Sequence, residues 1–188
     1  MSEQDRELIG GTYQARFGPT VKGVSVVLMS AGFVAIAFLP GIPIVLLGVL
    51  LLLFGGGGLA FLFTLLSGRV ALRVDRDGIT LGGFPIWGYR RTTAFVPWAQ
   101  ITAVVLFEQR VPDGPPMPYI GLARREGAPR LPVIPGLGMT RVNAHLIPHV
   151  PPDIVAASRP INGWGLDRAQ LIESVTRNAP EVPVLDLG

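Results

Sequence analysis

The pattern of apolar and polar positions divides the chain into three stretches. Residues 1–23 are polar and carry three charges of each sign. From Val24 to Leu66 no position is charged, and Leu39-Pro40-Gly41-Ile42-Pro43, with two prolines and a glycine, marks a turn within that run. Its second half, Ile42 to Leu66, is 25 residues long. At about 1.5 Å per residue it reaches roughly 37 Å, enough to cross a hydrocarbon core of ~30 Å with tilt. The first half, Val24 to Leu39, has 16 residues and is short alone, but Lys22 can snorkel to the interface and lend it length. The expected element is a two-helix transmembrane hairpin over 24–66, with spans 24–39 and 42–66.

After Ser67 short apolar and β-branched runs recur between turn residues every 8–12 positions or so, the signature of a small antiparallel sandwich or barrel. Strands are expected at Arg69–Val74, Ile79–Leu81, Ala94–Pro97, Ile101–Phe107, Tyr119–Ala123 and Arg130–Ile134. Asp77-Gly78 supplies a hairpin turn for the first pair. The run Val104-Val-Leu-Phe107 points to a strand buried on both faces. Pro135 to Ser158 is rich in Pro and Gly and is expected to be irregular, with one short strand near Arg141–Ile147. A helix closes the chain: Asp167 is its N-cap with Gln170 at the capping-box position. Ile172, Val175 and Ala179 form its stripe beside Leu171, Glu173 and Arg177 pair at i,i+4, and Pro180 stops it. The fold class is therefore α+β. A membrane hairpin (24–66) separates a cytoplasmic N-terminal segment (1–23) from a small β-barrel or sandwich capped by a C-terminal helix (67–188).

Composition sharpens this division. The chain is 49% hydrophobic and 15% charged with mean hydropathy +0.47, too apolar for an ordinary soluble domain. Absence of cysteine removes disulfides, thiolate metal sites and cysteine nucleophiles. The net charge of +3 belongs entirely to the residues from Ser67 onward, where thirteen Arg face ten acids. No dense basic stripe interleaved with aromatics appears, so nucleic acid is not an expected partner. Arg6, Arg16 and Lys22 precede the hairpin, Arg69, Arg73 and Arg76 follow it, and its turn has no charge; the positive-inside rule then places both termini in the cytoplasm. Ala35-Ile36-Ala37 imitates a signal-peptidase site, but an acid-containing segment of 23 residues before the apolar run argues against a cleaved signal.

Candidate chemistry is sparse. Gly55-Gly-Gly-Gly58 lacks the Gly-Lys-Ser/Thr ending of a phosphate loop and is expected to make the span kinked or flexible. Ala31-x-x-x-Ala35 and Gly56-x-x-x-Ala60 are expected to let the two helices approach closely. His145, His149 and Asp153 have metal-ligand spacing, but Pro148, Pro151 and Pro152 deny them one helical face. No Gly-x-Ser-x-Gly elbow surrounds Ser158 or Ser174. Neither a metal, a cofactor nor an enzymatic activity is expected. Trp98 is expected to plug the barrel and Trp164 to anchor the helix entry, with partner binding the lesser alternative. The remaining binding candidates are Arg90, Arg91, Arg124, Arg125 and Arg130, which could meet anionic headgroups or a partner if they converge, or else form a solvated face.

The segments Val74-Asp-Arg-Asp-Gly-Ile-Thr-Leu81, Val96-Pro-Trp-Ala-Gln-Ile-Thr-Ala-Val104 and Asn162-Gly-Trp-Gly-Leu-Asp-Arg-Ala-Gln-Leu171 resemble bacterial pleckstrin-homology-like (PH) domain membrane proteins. Many of these carry two N-terminal transmembrane helices. The resemblance covers nearly the whole layout and departs from it between Gly136 and Ser158, a longer insertion than that fold requires. It implies a non-catalytic module at the inner face of the plasma membrane that binds a protein partner or anionic lipid. The alternative is an accessory subunit of a larger membrane complex, acting through its helices.

Overall fold

The structure, a computed structural model, describes residues 12–109, 114–132 and 150–187. Its first element is a strand that the apolar pattern did not announce. β1 (Tyr13–Arg16) alternates buried Tyr13 and Ala15 with more exposed Gln14 and Arg16. Thr20 then caps helix α1 (Val21–Ala37), its hydroxyl accepting from the Gly23 N–H. After the Pro-Gly turn, α2 runs from Ile44 to Leu66. Its 23 residues include a π-helical turn over Leu51–Gly56, immediately before and within the glycine run. The irregularity expected of that run is thus a widened turn inside a continuous helix.

The two helices are antiparallel. Phe33 stacks on Phe54 with centroids 4.3 Å apart. The seam on α1 is made of Gly23, Ser30 and Ala37, spaced seven residues apart and buried. A Cβ on Gly23 would come within 2.9 Å of Leu65, and one on Gly58 within 2.9 Å of Ser30, so the close approach depends on these two glycines. Ala31, Ala35 and Gly56, expected in the seam, are exposed instead, because the pair closes through the face of Gly23, Ser30 and Ala37 on α1 and through Gly58 on α2. Among the described residues only α2 has the length and composition to cross a membrane; α1, at 17 residues, spans about 26 Å at a rise of 1.5 Å per residue. The expected pair of full spans is therefore present as one long apolar helix and one shorter apolar companion.

β2 (Val70–Val74), β3 (Gly78–Leu81) and β4 (Ala94–Pro97) follow and complete a four-stranded antiparallel sheet in the order β1-β2-β3-β4. The Asp75–Gly78 turn is held by Asp75 Oδ1, which accepts from the N–H groups of Asp77 and Gly78. Glycine is required at 78 by crowding, since a Cβ there would lie 2.2 Å from the Val96 carbonyl oxygen. A second sheet has the order β7-β6-β5-β8. It comprises β5 (Ile101–Gln109), β6 (Met117–Arg124), β7 (Ser158–Pro160) and β8 (Val184–Asp186). β8 runs parallel to β5 and the other pairs are antiparallel.

One core joins both sheets to the C-terminal helix α5 (Arg168–Asn178): Leu72, Ile79 and Val96 of the first sheet meet Val104, Leu106 and Ile120 of the second and Leu171 and Val175 of the helix. The other face of β5, carrying Val105 and Phe107, packs with Tyr119 and with Ile154 of a short helix α4 (Pro152–Ala156), so this strand is buried on both faces as its apolar run implied. The remaining short helix, α3 (Tyr89–Thr92), precedes β4.

Several local expectations need correction. Residues 130–132 form no strand, because β6 already has β5 on one edge and β7 on the other. The remainder of that expected strand, the strand near 141–147, and His145 and His149 lie outside the described residues. In α5 the Asp167 cap forms as expected, accepting from the Gln170 N–H at 3.0 Å, but the buried stripe is Leu171, Val175 and Ala179, with Ile172 47% exposed. Residues 13–16, placed by sequence in a separate N-terminal segment, belong to the first sheet.

Glycine substitutions separate crowding from propensity. A Cβ on Gly82 would sit 2.1 Å from the Val70 carbonyl oxygen, whereas one on Gly32 meets nothing within 4 Å. Gly82→Ala should lose about 1–3 kcal/mol through forced backbone displacement. Gly32→Ala should be neutral or gain up to about 1 kcal/mol from helix propensity. Thermal unfolding of the detergent-solubilised protein reads the difference.

Candidate functional site

The base of the helical hairpin meets the first sheet at its β1–β2 end. Arg16 pairs in register with Val70, and the Phe17 N–H donates to the Arg69 carbonyl at 2.9 Å. Positive charge collects at this junction. Arg16 Nη1 donates to the Gly68 carbonyl, and Lys22 is exposed in the first turn of α1. The Arg69 guanidinium lies 5.1 Å from the Tyr89 ring centroid and 5.8 Å from that of Phe63, and donates to the Pro85 carbonyl. Tyr89 in turn donates to the Val70 carbonyl at 2.7 Å, which holds α3, with exposed Arg90 and Arg91, beside the same junction. Trp87, 76% exposed, stands next to them.

The five basic residues singled out by sequence do not converge. Arg90 and Arg91 belong to this collar. Arg124 and Arg125 lie at the opposite end of the strands: Arg124 is paired with Ile101, the Arg125 N–H donates to the Gln100 carbonyl, and Trp98 beside that turn bonds to the Asp75–Gly78 hairpin. β2 runs between the two ends, five residues or roughly 15 Å. Arg130 is exposed in the segment that follows β6. Trp98 donates its indole N–H to the Asp75 carbonyl at 2.9 Å and packs on the core, and Trp164 is 4% exposed with its N–H on the Pro160 carbonyl.

Beside the collar is a cavity of about 320 Å³. One wall is the face of α2 formed by Gly57, Ala60, Phe61 and Thr64, at i, i+3, i+4 and i+7. Facing it is the loop Gly82–Ile86, and Arg159 and Trp164 close the side. The loop is fixed by side chains: Thr92 Oγ1 accepts from the Phe84 N–H at 2.8 Å and Thr93 Oγ1 from the Gly83 N–H at 3.1 Å.

Arg159 is the residue that sequence reasoning missed. It is 4% exposed, yet no carboxylate among the described residues lies within ion-pair distance. Its guanidinium is held by carbonyls instead: Nε donates to Gly82 at 3.2 Å, Nη1 to Ser158 at 2.9 Å, and Nη2 to Thr92 at 3.0 Å and Pro132 at 3.1 Å. Burial pulls its pKa down to about 10, which still leaves the side chain charged at neutral pH. A buried cation with no counter-charge among the described residues thus lines a mostly apolar cavity. The only sequence signal was its place between Ser158 and Pro160 in a short polar run, which does not distinguish it from the exposed arginines.

Arg159→Met should remove four charge-assisted hydrogen bonds and strand the Gly82 and Thr92 carbonyls, at a cost of about 3 kcal/mol or more. Arg159→Lys should recover only part of this, since an ammonium has three donors and no planar fork. Thermal unfolding of the two variants in detergent, with amide exchange across 82–93, checks both statements.

No protein-family model, curated protein or solved structure matches the chain, so its function is argued from its own geometry.

Proposed function

We propose that this chain is an integral membrane protein that tethers a non-catalytic, pleckstrin-homology-like binding module at the inner face of the bacterial plasma membrane. The observation that carries the reading is the apolar hairpin inserted between β1 and β2. Its outer surface is exposed, with Ile44 82%, Val45 76% and Leu52 76% accessible, a continuous apolar face that water does not tolerate but lipid does. The shorter α1 is completed as a span by Lys22 and by its packing on α2. Because β1 and β2 pair directly, both helix ends return to one side, and the cationic collar at that end favours the cytoplasm. Exposed Trp87 fits the headgroup layer that aromatic residues favour. Two four-stranded sheets around one core closed by α5 support the pleckstrin-homology-like reading. The module's ligand is a protein partner or an anionic lipid.

A second reading, an accessory subunit acting through its helices, is favoured by the outward position of Ala31, Ala35 and Gly56, small residues left open to another helix. Replacing the hairpin by an unrelated one separates the two: partner capture survives if the module carries it and is lost if the helices do.

The absence of cysteine makes topology directly measurable. In intact cells a membrane-impermeant maleimide should label Pro40→Cys at the hairpin tip, while Arg76→Cys in the β2–β3 turn should label only after permeabilisation. Equal labelling of both, or protection of position 40 alone, would overturn the assignment.

A further inference from the structure

The cavity between α2 and the module has the features of a binding site rather than a packing gap. Its volume of about 320 Å³ falls at the lower end of the 300–1,000 Å³ or so typical of ligand pockets. Its walls are preformed, since Thr92, Thr93, Arg69 and Arg159 all bond to the Gly82–Pro85 segment. The lining is mostly apolar: Phe17, Phe61, Phe84 and Trp164 among its larger side chains. Its polar members are Thr64, Asn162 and Arg159, and its one charged member among the described residues is Arg159, which has carbonyl partners but no counter-charge among those residues. Of its five N–H donors, the four bonds described leave one on Nη1 without an acceptor among those residues. Exposed Arg90 and Arg91 add positive potential at the adjacent collar.

We infer that this cavity binds an anionic acyl lipid drawn from the inner leaflet, with its phosphate or carboxylate held near Arg159 and its proximal acyl chain against Ala60, Phe61 and Trp164. The inference rests on the tethered reading given above and narrows that reading's ligand to a lipid and its site to this junction. Placement favours this occupant. Gly57 precedes Leu66 by nine residues, so the cavity lies within roughly 14 Å of the charged end of α2, at the depth of headgroups and upper acyl chains. One wall of the cavity is also the surface of the lipid-exposed helix, so a chain can enter sideways from the leaflet without crossing water. A cavity this small takes the headgroup region and part of one chain, leaving the rest in the bilayer. The basic pair Arg124 and Arg125, at the far end of the strands, takes no part.

Trp164 lines the cavity and serves as the reporter. In a full-length Trp87→Phe/Trp98→Phe background it is the sole tryptophan. The protein is reconstituted with phosphatidylcholine vesicles containing a minor fraction of brominated phosphatidylglycerol or brominated phosphatidylcholine, and co-flotation is scored in the same samples. Brominated phosphatidylglycerol should quench Trp164 at about one-fifth the mole fraction needed for brominated phosphatidylcholine, the preference conferred by one basic contact near a membrane. Gly57→Leu should abolish the selective quenching: Gly57 lines the cavity, a Cβ there meets nothing within 4 Å, and leucine improves helix propensity. Gly56→Leu, on the neighbouring outward position, should leave it intact. Arg159→Gln, where it folds, should equalise the two lipids.

Equal quenching by the two lipids in the parent background, or unchanged selectivity in Gly57→Leu, would overturn the lipid site while leaving the tether in place. Release of the quenching by inorganic phosphate would make a free anion the ligand and also overturn it. Failure to float with either vesicle would overturn the tether and the site together.

Discussion

The β1–β2 ladder is the contact on which the rest of the structure depends. It pairs Tyr13 with Val74 and Arg16 with Val70, and so brings together two segments that α1 and α2 separate. A hairpin of apolar helices held only by its own turn would leave its open ends free to splay. Here the open ends are fastened by sheet hydrogen bonds, continued by Phe17 to Arg69 and by Gly18 to Gly163. The same fastening brings Gly23 against Leu65 and fixes where the face of α2 meets the loop after β3. Seam, collar and cavity are consequences of one strand pairing.

Arg159 is the second constraint, and it acts through backbone rather than charge pairing. Its four carbonyl acceptors come from the loop directly after β3, the end of α3, the connection after β6 and its own strand β7. A buried guanidinium satisfies several carbonyls at once, which a neutral side chain of similar volume does not. Desolvation opposes the arrangement, as the lowered pKa reflects, and the carbonyl dipoles offset part of that cost. What remains is a fixed positive site in an apolar wall.

Sequence pattern located the elements whose periodicity is strong and local. The uncharged run, the Asp75–Gly78 hairpin, the doubly buried β5 and the capped α5 were legible because each is specified by its own residues. β1, β7 and β8 were not. Each has only three or four residues and extends mainly because a neighbouring strand offers an open edge, which is tertiary information. The seam of the hairpin was misplaced for a related reason: Ala31, Ala35 and Gly56 are small, but helix rotation is set by the β1–β2 pairing below, not by the smallest residues on each helix. Of the candidate site, the arginines were visible as residue types. Their division between two ends of the strands, and the burial of Arg159 among carbonyls, follow from the fold alone.

The joint between hairpin and module also has a mechanical consequence. A domain tied to a helix by one linker can tumble, whereas this module is joined through two chain crossings, at Phe17–Thr20 and at Ser67–Arg69, and through the close approach of Thr64 and Leu65 of α2 to Gly163. Three attachments that are not collinear fix an orientation. Rotation of the module relative to α2 would have to break the Phe17–Arg69 and Gly18–Gly163 bonds. Whatever occupies the cavity meets both the α2 face and the Gly82–Ile86 loop, and filling it adds contacts to both walls without reorienting either. Occupancy would thus strengthen the joint rather than switch it, which suits a site built from a preformed loop and a rigid helix face.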